Sequence, residues 1–186
     1  MTRGRWVAVV GMILAAAMAV GWPQAASAET KAGDLDLSIA GSFSNISVDD
    51  SNTSSNSLTL ATKIGYFFAP AHELSLAAFG GLVFANGQDN AGFYAVAARY
   101  DYHFNTQGTV IPYLGPQVGF LGVEAGGTSA TGVLYGGQAG IKFFMTERTT
   151  FFVEYNFIRA ELSSNGNATT GVNQNTVLVG ISYIFR

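Results

Sequence analysis

The 186-residue sequence contains no cysteine, and only 11% of its residues are charged. Without cysteine the chain can form neither a disulfide framework nor a thiolate site. Beyond its N-terminal segment it also has no apolar run of the roughly 18 residues that a membrane helix needs. The sequence therefore predicts no membrane helix in the mature chain, so a membrane location would require another kind of structure.

The N-terminal segment, residues 1–28, has the features of a secretory signal peptide. Two arginines precede a short apolar stretch, Trp6 to Val20, and the segment ends in Ala26-Ser27-Ala28. A basic start, an apolar middle and a small-residue end are typical of a cleaved signal. A transmembrane anchor is the alternative, although the apolar stretch is short for one. We expect cleavage after Ala28, which leaves one mature domain, 29–186.

Charge and composition narrow the functional classes further. Without the signal peptide, seven Lys and Arg remain against twelve Asp and Glu, so the mature chain is acidic. This balance argues against nucleic acid as a partner. Glycine is abundant, with 23 residues, and aromatic residues make up 13% of the chain. Membrane barrels with tightly filled interiors and aromatic girdles have this composition.

The clearest pattern is a strict alternation of apolar with small or polar residues. In the last strand, one face carries Val177, Val179, Ile181, Tyr183 and Phe185, and the other carries Thr176, Gly180, Ser182 and Arg186. The alternation recurs in segments long enough for the ~9 to 11 residues of a tilted membrane strand. The eight predicted strands are 34–48, 56–69, 73–86, 90–104, 109–125, 131–145, 148–163 and 173–186. The predicted fold is all-β, an eight-stranded antiparallel transmembrane β-barrel with up-and-down strand order.

The predicted connections alternate in length. Three are short turns, at 69–72, 105–108 and 145–148, and four are longer, at 49–55, 86–90, 126–130 and 163–174. Outer-membrane barrels place short turns in the periplasm and longer loops outside. We therefore expect both termini in the periplasm and loops rich in Asn, Ser, Thr and Gly at the cell surface.

The alternation also assigns each side chain to lipid or to the lumen. The aromatic and aliphatic sets face outward, and nearly every charge within a strand falls inside. From these interior positions we predict a lumen polar network of Lys63, Arg99, Asp101, Gln138, Lys142 and Glu154. The remaining polar interior positions are Asp36, Ser38, Ser42, Thr59, Glu73, Ser75, Gln117 and Asn156. A soluble calycin-type barrel would invert this arrangement, with an apolar interior around a ligand.

Four segments carry a family resemblance: Ile111 to Phe120, Tyr135 to Lys142, Phe152 to Phe157, and Ile181 to Phe185. They resemble the small outer-membrane β-barrel superfamily of OmpA-type and OmpX-type domains. The resemblance implies a monomer in the cell outer membrane of a Gram-negative bacterium, surrounded by lipid and lipopolysaccharide. It also implies biogenesis with periplasmic chaperones and the barrel assembly machinery, for which Tyr183 and Phe185 form the C-terminal assembly signal. The chain departs from common members by placing Arg186 after the terminal aromatic residue.

The lumen charges allow two interpretations. They could pair with one another as a structural plug, since an eight-stranded barrel is just wide enough for its side chains. They could instead switch partners and open a narrow path, which would make the protein a porin-like, OmpW-like channel for small solutes. We expect the plug, and with it a structural or surface-interaction role.

Catalysis and metal binding have little support in the sequence. An outer-membrane lipid-modifying enzyme would need a Ser and a His near the outer leaflet. The two histidines, His72 and His103, fall at the predicted periplasmic end, where we interpret both as interfacial polar residues. They are too far apart for a metal cluster with acidic ligands. We therefore expect no catalytic residues, no metal and no cofactor.

Overall fold

A computed structural model describes residues 28–48, 53–85, 91–163 and 170–186. The predicted signal peptide, apart from Ala28, lies outside these residues. Eight long strands form the barrel: β1 (Leu35–Val48), β2 (Thr53–Ala69), β3 (His72–Ala85), β4 (Ala91–His103), β5 (Val110–Ala125), β6 (Thr128–Phe144), β7 (Thr149–Ser163) and β8 (Thr170–Phe185). Within the described ranges, no helix is long and apolar enough to cross a membrane.

The strands close into one antiparallel sheet. Each strand pairs with the next along the chain, and β8 pairs with β1. The closing ladder runs from Val179 opposite Gly41 to Phe185 opposite Leu35. This topology confirms the predicted eight-stranded, up-and-down barrel. The described chain begins, at Ala28, and ends, at Arg186, on the side of the barrel that carries the β2–β3, β4–β5 and β6–β7 connections, which we call the periplasmic end. Connection length does not distinguish the two ends as predicted, because the two-residue β5–β6 turn lies at the other end.

Burial alternates along the strands as the sequence pattern predicts. On β8, Leu178, Ser182 and Ile184 are buried, whereas Val179, Ile181 and Tyr183 are exposed. The outward side chains form an apolar belt that would meet hydrocarbon. Aromatic rings gather near the periplasmic end of this belt, where Tyr183 and Phe185 lie edge to face with centroids 4.7 Å apart. Such a girdle is typical of a membrane–water interface.

The strands extend further toward the loops than the sequence predicted. β2, β6 and β8 each begin three residues earlier than expected, because Ser, Thr and Asn read as loop in the sequence. Backbone pairing does not depend on those side chains, and Ser54 pairs with Ser47. The predicted loop 126–130 is instead a two-residue turn, since Gly126 and Gly127 have φ of 56° and 78°. Positive φ at both positions is the geometry of a tight hairpin turn, which glycine adopts without strain.

Residues 28–34 cross the periplasmic end as a strap. Ala28 and Glu29 pair with Gly108 and Gln107 in the β4–β5 connection. Thr30 donates its hydroxyl to the carbonyl of Pro70, at 2.7 Å, and is almost fully buried. From the other side of the barrel, Arg186 Nη2 donates to the carbonyl of Glu29, at 2.8 Å. The strap is therefore anchored on opposite sides of the opening.

The outward face of β8 provides a direct test of the fold. Ile181 lies in the middle of the outward set from Val177 to Phe185, near the expected bilayer midplane. We expect Ile181→Arg to lower the free energy of unfolding in lipid by about 2–4 kcal/mol. The control, Leu35→Arg at the periplasmic end of the belt, should cost about 1 kcal/mol or less. Urea unfolding in vesicles, followed by heat-modifiable mobility, measures both, and equal costs would contradict the lipid-facing assignment.

Candidate functional site in the barrel lumen

The six residues of the predicted polar network all lie inside the barrel, in the half nearest the periplasmic end. Each is buried, and together they come from β2, β4, β6 and β7. The same network includes Asp36 from β1 and Glu73 from the start of β3, two of the predicted interior positions, and both are fully buried. Strands from around the barrel thus direct charged side chains toward one another across the lumen.

Two lysines and two carboxylates form the lower part of this network. Lys63 Nζ lies 2.6 Å from Glu73 Oε1 and 3.4 Å from Asp36 Oδ2. Lys142 Nζ lies 2.6 Å from the same oxygen of Asp36 and 3.3 Å from Glu73 Oε2. Each carboxylate is therefore shared by both ammonium groups. A shared arrangement satisfies buried charges better than isolated pairs, because each ion has more than one partner.

A second group lies deeper in the barrel, around Arg99. Its Nη2 donates to Glu154 Oε2 at 2.6 Å, and the hydroxyl of Tyr113 donates to the same oxygen at 2.9 Å. Asp101 connects the two groups, since its Oδ1 lies 3.8 Å from Arg99 Nη2 and its Oδ2 lies 3.5 Å from Lys63 Nζ. The network is continuous across the lumen.

The charges of this network nearly balance. Four carboxylates, on Asp36, Glu73, Asp101 and Glu154, face three cations, on Lys63, Arg99 and Lys142. A buried ion is costly without a partner, so removing one member strands the others. In the described part of the chain, His, Asp and Glu side chains form no group of three that could hold a metal ion.

His103 and Tyr113 belong to the network although the sequence interpretation missed them. The interpretation of His103 as an interfacial residue was wrong: it is 1% exposed, and its Nε2 lies 3.0 Å from Glu73 Oε2. It shares strand parity with Arg99 and Asp101, a signal that places it in the lumen. His72, in contrast, lies outside among the girdle rings, with Nδ1 2.6 Å from the hydroxyl of Tyr100.

The outer half of the lumen is apolar, which differs from the polar interior that we predicted. Its buried residues include Phe79, Leu121, Leu134, Ile158 and Leu162, with alanines between them. The interior parity of β7 changes from Glu154 and Asn156 to Ile158, Ala160 and Leu162. Two cavities between the described lumen side chains have volumes of about 20 and 10 Å³. The larger has room for about one water molecule.

At one place in the barrel wall, a lumen side chain replaces a hydrogen bond that the strand pairing lacks. The β4–β5 pairing is interrupted, without a change of register, between Arg99 opposite Gln117 and Tyr102 opposite Leu114, where Pro116 lies. Proline has no backbone N–H to donate to the neighbouring strand. Gln138 Nε2 instead donates to the carbonyl of Tyr100, at 3.1 Å, and to Asp101 Oδ1, at 2.6 Å. Gln138 therefore joins the wall to the charged network.

Two interior glycines make room for the network. A Cβ on Gly65 would lie 1.9 Å from Glu73 Oε1, and a Cβ on Gly140 would lie 2.5 Å from the Tyr113 ring. Neither glycine needs an unusual φ, so space rather than backbone conformation requires it. The narrow lumen thus accommodates long polar side chains by removing the side chains opposite them.

The comparison with protein families decides the identity of this fold. Residues 12–185 match the family model described as an outer membrane protein beta-barrel domain. The chain belongs to this outer-membrane β-barrel family. Membership confirms the predicted family and places the protein in the outer membrane. A search of curated proteins finds no match.

Solved structures of outer-membrane barrels share the fold. Neisserial surface protein A is 17% identical, with 82% of this chain and 99% of that chain covered and a TM-score of 0.67. OprG from Pseudomonas aeruginosa is 17% identical, with 85% and 98% covered and a TM-score of 0.53. Ail from Yersinia pestis is 18% identical, with 82% and 99% covered and a TM-score of 0.53. At these identities the likeness concerns the fold alone.

Glu154 tests the energetic role of the lumen network. Glu154→Ala leaves Arg99 without its closest carboxylate, so we expect the free energy of unfolding to fall by about 3–5 kcal/mol. Glu161→Ala, on the exposed face of the same strand, should change it by less than about 0.5 kcal/mol. Urea unfolding of the folded barrel in lipid measures both. An unchanged urea midpoint for Glu154→Ala would show that the ion pair between Arg99 and Glu154 does not stabilise the barrel.

Gln138 tests the sealed part of the wall. Gln138→Leu removes the donor to the Tyr100 carbonyl, and we expect a loss of about 1–3 kcal/mol in unfolding free energy. Amide hydrogen exchange should also accelerate in β4 and β5 near residues 100–102 and 114–117. The control is Gln117→Leu, because Gln117 also donates from the lumen to a side chain and a backbone carbonyl, Asn156 Oδ1 and Phe157 O, but at a place where the β6–β7 pairing is continuous. Equal exchange in the two variants would contradict a sealing role for Gln138.

Proposed function

We propose that this outer-membrane barrel is a closed structural and surface-contact protein whose lumen does not conduct. The observation that carries the proposal is how closely side chains fill the described part of the lumen. The ion-paired network occupies the periplasmic half and the apolar cluster the outer half, and two cavities between the described side chains have volumes of only about 20 and 10 Å³. Hydrated ions need a continuous polar path, and the apolar cluster interrupts such a path within the described part of the lumen.

The strap supports the same proposal from the periplasmic end. Below the charged network, Ile111, Phe144 and Ile184 form a second apolar cluster. The backbone of Gly33 donates to the carbonyl of Phe67 at 2.7 Å, so the strap is fixed against the wall of this lower end. A solute would have to pass the strap, this cluster and the network before it reached the apolar half.

We infer a role in contacts at the cell surface rather than in catalysis. Neisserial surface protein A and the attachment invasion locus protein of Yersinia pestis carry names that refer to the surface and to attachment. In this chain, His103 is hydrogen-bonded to Glu73 inside the lumen, and His72 is hydrogen-bonded to Tyr100 at the periplasmic girdle. Neither lies near the outer leaflet, where a lipid-modifying enzyme would act.

The outward face of the last strand, β8, also bears on assembly. We propose that the protein is a monomer, recognised during biogenesis by chaperones and the assembly machinery through Tyr183 and Phe185. Both rings are exposed on the outward face of the last strand, and Phe185 pairs with Leu35 only when the barrel has closed. They are therefore accessible before closure, when recognition would occur.

Single-channel recording tests the proposed closure. We expect the mature protein, reconstituted in planar bilayers, to show no stable conductance steps, because the lumen has no continuous water path. A general porin reconstituted in the same way serves as the positive control, and heat-modifiable mobility verifies that the barrel is folded. Reproducible steps from the folded barrel would overturn the plug and favour a narrow solute channel.

A further inference from the structure

Arg159 is unusual among the cations of this chain because of its place. Of the nine Lys and Arg, two lie in the predicted signal peptide, and Lys31, Arg148 and Arg186 lie near the periplasmic end. Three more lie inside the lumen. Arg159 alone lies in the outer part of a strand, where it is exposed and shares the outward face of β7 with Tyr155 and Phe157.

The strand register gives the height of Arg159 above the belt. Its row continues to Tyr135 on β6 and Asn173 on β8. Four rows lower on the same face, Phe151 pairs with Phe143 and Ile181. Ile181 lies near the expected bilayer midplane, and eight residues along a strand tilted by 35–45° rise about 20 Å, whereas half of the apolar band of such a barrel is only about 12 Å. Arg159 therefore lies beyond the outer edge of the belt, at the level of lipid headgroups.

The side chains around Arg159 supply hydrogen-bond donors. Tyr135 and Asn173 flank it on the two neighbouring strands, where directly opposite side chains lie about 5 Å apart. Asn175 lies one row lower and accepts a hydrogen bond at its Oδ1 from the hydroxyl of Tyr155, so its amide N–H groups are not used in that contact. In the described part of the chain, Arg159 itself forms no ion pair or hydrogen bond. Its guanidinium extends along the surface toward Gly171.

The chemistry of these donors indicates an anionic ligand with several oxygens. A guanidinium has five N–H donors in a planar fork, which matches phosphate better than a single carbonyl. The outer leaflet of the outer membrane consists of lipopolysaccharide, whose sugar headgroup carries phosphates at this level. We propose that Arg159, assisted by Tyr135 and Asn173, binds a phosphate of the lipopolysaccharide headgroup.

The acidic residues nearby restrict how this contact forms. Glu161 lies two residues further out on the same face, and the sequence of the predicted surface loops adds Asp49, Asp50 and Asp89. These carboxylates repel phosphate, so a direct contact must be made at Arg159 itself. They could also hold phosphate indirectly through divalent cations. A chelator removes divalent cations, so it would abolish the indirect contact and leave the direct contact of Arg159 in place.

Binding of labelled lipopolysaccharide to the immobilised full barrel tests the proposal, with EDTA present to remove divalent cations. Loss of a charge-assisted contact should weaken binding about tenfold in Arg159→Gln. Arg159→Lys keeps the positive charge but lacks the planar set of N–H donors. Its affinity should therefore lie between that of the unmodified protein and that of Arg159→Gln. Arg148→Gln, which removes an exposed cation at the periplasmic end, is the matched control and should bind like the unmodified protein. Heat-modifiable mobility verifies that each variant is folded.

The phosphate is tested by treating the same lipopolysaccharide with phosphatase. The unmodified barrel should then bind it as weakly as Arg159→Gln binds the phosphorylated form, and Arg159→Gln should show no further loss. Unchanged binding after phosphatase treatment would overturn the proposal. So would loss of all binding on adding EDTA, which would assign the contact to divalent cations on the acidic residues, or equal binding by Arg159→Gln and Arg148→Gln.

Discussion

Hydrocarbon offers no hydrogen-bond partner to a backbone N–H or carbonyl, and the architecture of this protein depends on that constraint. Every backbone group inside the membrane must be paired within the protein, so the sheet closes between β8 and β1. The place where Pro116 interrupts the ladder shows how strict the requirement is. There, the side chain of Gln138 supplies the missing donor to the Tyr100 carbonyl.

Closure with eight strands then limits what the interior can contain. The lumen is only as wide as its side chains, so each inward position must match those across it. Gly65 and Gly140 lie where Glu73 and Tyr113 need their space. The charges gather near the periplasmic end, where they share partners, and the outer half is filled as an ordinary apolar core. The barrel thus has two interiors with different chemistry.

The ends of the chain complete the barrel rather than leave it open. The strap is held by two turns on one side and by Arg186 on the other. In the sequence, Arg186 follows the terminal aromatic residue with which related barrels commonly end. In the structure its guanidinium donates to the carbonyls of Glu29 and Glu147. A residue that weakens one expected signal thereby joins the strap to the end of the last strand.

The sequence by itself determined the strand number, the lipid-facing parity and the inward direction of Lys63, Arg99 and Glu154. A period of two is local, and the sign of each face is set by whether it meets lipid or lumen. The same alternation places His103 and Tyr113 at inward positions, although an interpretation based on residue type alone overlooked them as members of the network. Only the tertiary structure decided which charges pair, because Lys142 and Asp36 are distant in sequence and meet through barrel closure. The apolar outer lumen likewise depended on the stagger between strands, since depth inside a barrel is set by register around the whole sheet rather than by any one strand.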